Sequence, residues 1–277
     1  MPTPLPAYRN PPVAEVALAI FFDDLPGFSS SHAGAFWATV RETYPRAEDQ
    51  PPLRINPEQP PESPQFAERP KLEMIDAPKV RSWFLNRDGT QLVQVQSDAF
   101  MRNWRQSGST KGVSTIYPHY DSLRASLLKD FGAFSTFAAD NGWRTILPRQ
   151  CEITYVNHVR VPDGVGTHAS VSRVLRCYSE LADSFLPRSE DSRFIIRYAI
   201  RQAGDFKGRL TVTVQPAYLI ETNDEILNLT LVARGAPLGA GLDGSLAFLD
   251  LGHEWIVRGF SELTTDEMQA FWGRTVL

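Results

Sequence analysis

The sequence predicts an α+β protein in two halves. An N-terminal split β-α-β-β-α-β half, in ferredoxin-like order, is followed by a four-stranded antiparallel meander covered by C-terminal helices. Three observations carry this. A long amphipathic helix, its apolar stripe running from Tyr120 to Ala138, leads through Asn141-Gly142 into an alternating strand ending at Val159. An Asp-Gly turn at 88–89 joins two short β-rich runs. Beyond residue 168 the chain turns to β-rich runs separated by short polar connections. The expected domains are 1–161, with a Pro-rich excursion at 50–70, and 169–277.

The proline-rich residues 1–12 read as an extended arm. Val13–Phe22 is nearly continuous in apolar residues, the mark of a strand buried on both faces. Ser29, Ser30 or Ser31 caps a helix whose stripe is Phe36, Trp37, Val40 and Tyr44, and Pro45 ends it. Seven prolines between 51 and 70 exclude a helix or central strand there. Val80–Leu85 and Gln91–Ser97 form the hairpin. Phe100–Arg105 follows, then a Gly/Ser-rich linker at 106–112.

In the long helix Tyr120, Leu123, Leu127, Phe131, Phe134 and Ala138 share one face by their spacing. Leu128 and Phe137 widen it, and Asp130 falls off it. Asn141-Gly142 suits a left-handed cap. Cys151, Ile153 and Tyr155 alternate with Glu152, Thr154 and Val156. Pro, Gly and Asp between 162 and 168 mark a boundary. The four expected later strands are Val171–Leu181, Phe194–Arg201, Leu210–Ile220 and Ile226–Arg234. Leu246, Leu249, His253, Ile256, Phe260 and Leu263 form a second helical stripe. Thr264-Thr-Asp-Glu267 reads as a capping box opening a last helix that stops at Gly273.

Composition bounds the function. The chain has 277 residues and a net charge of −4, without the basic excess of a dedicated nucleic-acid binder. Cys151 and Cys177 have no metal spacing and read as reduced core residues. There is no signal-peptide pattern and no membrane-length apolar run, so a cytoplasmic location is expected.

Five separated blocks carry a family resemblance: Pro11–Val16, Phe100–Arg105, Tyr117–Tyr120, Ile153–Val159 and Asp250–Phe260, with Met268 and Trp272-Gly273 beyond. In this order they resemble a sporadically distributed bacterial family of about this length with no assigned activity. The resemblance supplies no catalytic residues. Its patchy distribution implies an accessory system, such as a toxin–antitoxin or defence module.

No catalytic signature stands out. Gly239-Ala-Gly241-Leu-Asp-Gly244 has dinucleotide-loop spacing, but no second parallel strand or acidic ribose ligand follows. It reads as a loop and helix cap. His253-Glu254 lacks a second histidine four residues on and lies on the apolar stripe, so His253 reads as a packed residue. No cofactor and no metal are expected. The remaining polar and aromatic groups are Arg102, Asn103, Trp104 and Arg105, together with Tyr117, His119, Tyr120, Asn157 and His158. Guanidinium forks beside stacking rings suit a phosphate, nucleotide or carboxylate. The leading expectation is a non-enzymatic module that binds a protein partner, antitoxin-like, immunity-like or chaperone-like. The alternatives are a small-molecule or nucleotide binder using this cluster, and an enzyme with an unrecognised site.

Overall fold

A computed structural model describes residues 4–53, 57–60, 80–106, 116–143, 145–164, 166–181 and 185–275. Much of the Pro-rich excursion and most of the linker at 106–112 lie outside the described residues. The fold is mixed α and β, built on one antiparallel sheet of nine strands. In chain order the elements are β1 (Ala7–Tyr8), β2 (Val13–Phe22), α1 (Ser30–Val40), β3 (Arg46–Gln50), β4 (Arg81–Leu85), β5 (Gln91–Gln96), β6 (Ala99–Arg105), α2 (His119–Asp140) and β7 (Pro148–Val159). Then come α3 (Val171–Val174), β8 (Phe194–Gln202), β9 (Asp205–Tyr218), β10 (Glu225–Gly235), α4 (Gly241–Leu263), α5 (Asp266–Phe271) and β11 (Arg274–Thr275).

The sheet order is β3-β4-β5-β6-β2-β7-β10-β9-β8. Strand β7 bonds to β2 on one side and to β10 on the other, so the sheet runs unbroken past the boundary expected at 162–168. Helices α1, α2 and α4 share one face. Alternation along β2 explains the division: Val16, Leu18, Ile20 and Phe22 join the helix-side core, while Ala19 and Phe21 face the other way with Ala99 and Met101.

Four sequence expectations are corrected. The strand beside β2 is β6, a run the sequence pattern does not mark as a strand. Its buried Arg102 interrupts the apolar alternation. Val171–Leu181 is not a strand. Val171, Val174 and Leu175 are all buried at helical spacing, and only Leu175 makes an isolated bridge, to Thr264. The C-terminal meander therefore has three strands of its own, β8, β9 and β10, with β7 as the fourth neighbour. Loss of that strand also leaves Cys177 exposed; Cys151 is buried, and both are free thiols.

The six-residue stripe of α2 is buried as its spacing requires. Leu128 is exposed, and Asp130 is buried instead. Gly142 takes a φ of +84° after the helix. The cap of α5 is Thr265, one residue later than expected, because Thr264 Oγ1 donates back to Phe260 O inside α4. Helix α4 lies close to the sheet where Gly208 and Gly235 pair across β9 and β10 under the Phe248 ring. A Cβ at Gly235 would stand 2.3 Å from Phe248 Cε2. The glycines of the 239–244 loop serve packing as well: a Cβ at Gly244 would stand 2.0 Å from Gly239 O.

The opposite face is polar and partly strapped. Gln96 exchanges hydrogen bonds with the Leu53 backbone, and Leu53 packs against Ala19, Phe21, Ala99 and Met101. Further along, Glu58 N donates to Gln150 Oε1, and Arg209 Nε donates to Glu58 Oε1 at 2.5 Å. Leu53 and Glu58 of the proline-rich segment are thus held on this face, the first at β5 and the second at β7 and β9.

Candidate functional site

The start of α2, the middle of α4 and the N-terminal arm enclose a cleft of about 640 Å³. Residues 4–8 form one wall. Their position follows from a clasp: β1 pairs with β11, and Tyr8 hydrogen-bonds Ser261 Oγ at 2.6 Å while its ring meets Phe260 and Trp272 edge-on. The lining is largely apolar and aromatic, of the size that small-molecule sites usually have.

A hydrogen-bonded chain lies along the cleft. Tyr117 Oη is 2.7 Å from Tyr155 Oη, which is 3.1 Å from His253 Nδ1. The His253 ring stacks on Tyr120 with centroids 4.0 Å apart and planes 8° from parallel. Tyr120 in turn donates to Asp250, which also receives two bonds from Arg124. Strand β7 supplies Tyr155 on the helix side, and α4 supplies Asp250 and His253 at positions three apart, so both point toward α2.

Burial sets the protonation states. It pushes Tyr117 up to about 12 and Tyr155 well above the usual phenol range. Tyr120 is raised by burial and then by Asp250. Burial lowers His253 to about 4, against weaker opposing effects of Asp121, Asp250 and Glu254. At neutral pH the three phenols and the imidazole are therefore uncharged. They can exchange hydrogen bonds with a ligand without a buried charge to compensate.

Tyr117, His119 and the turn Pro11–Val13 also line a second chamber of about 850 Å³. Its charged and titratable groups are Arg9, Arg105, Arg160, His119 and His158, against Glu15 and Glu221. Arg160 donates to Asp224, and Glu15 accepts from Asn103. His119 sits where the chambers meet, exposed and with a φ of +60°, a conformation that non-glycine residues adopt at a cost.

The residues singled out in the sequence divide between the faces. Strand alternation sends Arg102 and Trp104 to the helix side and Asn103 and Arg105 to the other, so the run does not converge. Arg102 is 2% exposed. Its Nε lies 3.0 Å from Asp130 Oδ2, a charge contact without hydrogen-bond alignment, and its other nitrogens reach Gln91 and the Asn103 carbonyl. Tyr44 completes the group, donating to Asp130 at 2.6 Å with its ring under the guanidinium. Trp104 packs against Tyr117 and borders the second chamber with Arg105. Asn103 is bonded to Gln94 and Glu15. Asn157 lines the first chamber and donates to Leu229 O; His158, one residue on, lines the second.

Sequence reasoning did not assign Tyr155, Asp250 or the arm at residues 1–12 to a site. His253 is half-buried on the cleft, not sealed in the core; its place on the apolar stripe hides this, because the stripe's edge meets the arm. Among the described residues no group of three or more His, Cys, Asp or Glu could hold a metal ion. No family model and no curated protein matches the chain.

Proposed function

We propose that the protein binds a small molecule with a flat apolar body and an anionic group. The observation that carries this reading is the uncharged Tyr117–Tyr155–His253 chain, which floors an apolar cleft opening past His119 into an arginine-lined chamber. The apolar body lies under the arm beside Tyr120 and His253, where rings reward a flat surface. The phenols and imidazole hydrogen-bond its polar edge. The anionic group reaches Arg9, Arg105 or Arg160, which attract carboxylate, phosphate or sulfonate alike. Arg102, held by Asp130, supports the sheet and does not face the ligand.

Thermal melting with a panel of aromatic acids, aromatic amines and uncharged aromatics tests this. Acids raise the melting temperature in proportion to the logarithm of their concentration above Kd. Tyr155→Leu removes that rise for every acid, and Arg105→Ala weakens it. If amines and uncharged rings stabilise equally, the anionic half of the reading is wrong. If no member stabilises the protein, the whole reading fails.

A further inference from the structure

We propose that the edge of β8 is a docking site for an extended acidic segment of a partner protein, which joins the sheet as a tenth strand. Among the described residues β8 ends the sheet and pairs only with β9, which leaves one row of its amides and carbonyls for another strand. It is nine residues long. The other edge, β3, has five residues, among them Glu48 and Asp49, and is guarded by its shortness and mixed charge.

Charge and apolar exposure occur together at β8. Register places Ile195 and Arg197 opposite Thr213 and Thr211 on the face away from the helices. Ile195 is 58% exposed and Tyr198 38%. Leu181, Phe185 and Leu186, just upstream, are exposed as well. Arg193 and Arg201 stand four residues to either side of Arg197. Among the described residues no carboxylate offsets Arg197 on the same face of β9, where Arg209, Thr211, Thr213 and Gln215 follow one another and Arg209 is taken by Glu58. The acidic groups nearby include Glu190 and Asp191 before the strand, Asp205 in the hairpin, which binds Lys207, and Glu262 of α4, whose charge reaches Tyr198 on the helix side.

Edge arginines alone could serve only to prevent sheet-to-sheet association. That role does not require exposed Ile195 and Tyr198, which work against it. A second copy is a poor occupant. Antiparallel self-pairing centred on the strand sets Arg197 opposite or diagonal to an arginine of the copy, and like charges so placed repel. Glutamates or aspartates alternating with β-branched residues satisfy both faces. The carboxylates meet Arg197 and its neighbours, and the apolar residues meet Ile196 and Tyr198.

The probe is a labelled peptide of alternating glutamate and valine, compared with its lysine counterpart. The glutamate peptide binds one per chain, weakens as salt rises, and slows amide exchange across 194–202. Arg197→Glu, exposed and so expected to melt as the parent does, weakens binding at least about tenfold and confers binding to the lysine peptide. Tyr155→Leu leaves peptide binding unchanged, so this site and the cleft fail separately. Equal binding of both peptides, binding without protection of β8, or no binding overturns the proposal. So does a dimer in sedimentation whose β8 amides are protected without peptide, which assigns the edge to a second copy.

Discussion

Arg102 and Asp130 meet in the core between β6 and α2, Nε to Oδ2 at 3.0 Å, with Tyr44 as the third member. The sheet supplies the cation and the helix supplies the anion, so the pair fixes how α2 lies on β6. Truncating one partner leaves the other charged, buried and unpaired. Asp130→Ala should therefore cost about 3–5 kcal/mol in chemical denaturation. The double change Arg102→Met with Asp130→Leu should recover most of that loss. A loss below about 1 kcal/mol, the range of an exposed ion pair, would show that the pair is solvated.

His253 makes stability depend on pH. Its folded value is depressed to about 4 by burial, below the ordinary 6.5. The unfolded chain takes up the proton first, so the contribution is complete above pH 6.5 and is lost as pH falls toward 4. Between pH 7 and 5 the loss should be roughly 2 kcal/mol. His158, lowered by burial and by Arg160, adds to the same slope. Unfolding curves of His253→Asn at the two pH values should show most of the difference gone. An unchanged slope would place the sensitivity elsewhere.

Replacing His119 by glycine separates stability from binding. Glycine adopts a φ of +60° freely, so His119→Gly should stabilise the fold by about 1 kcal/mol. The same change removes an imidazole from the junction of the two chambers and should weaken any acid that binds there. Melting temperatures with and without ligand read both effects. A destabilised variant would mean that the imidazole makes contacts worth more than the backbone cost.

Gly235→Ala should lower stability by about 3 kcal/mol, since a methyl there meets Phe248 and the Lys207 carbonyl at once. Because the second obstacle is backbone, shrinking Phe248 to leucine should give only partial rescue. Full rescue would show that the strand yields easily.

The sequence made the long periodic elements legible. Helices α2 and α4 and strand β2 carry enough apolar repeats to reveal both type and facing. It concealed β6, where a buried arginine stands among apolar neighbours, and β3, whose Arg-Ala-Glu-Asp-Gln pattern is that of an exposed edge. Asp130 looked like a surface residue because its partner is 28 positions away on another element. Tyr117, His119, Tyr120 and Asn157 do gather at the cleft, but Tyr155 and His253 are buried or half-buried there by residues far off in the chain, which spacing cannot show.

The pairing of β1 with β11 has a kinetic consequence. Residues 4–8 wall the cleft and are held by the same contacts that hold Arg274 and Thr275. If the proposed ligand enters beneath the arm, its admission requires this two-stranded clasp to fray. The free energy of a small local opening, far below that of global unfolding, would govern how long a bound molecule resides. Substitutions at Tyr8 or Ser261 would shorten residence time without touching the floor of the cleft.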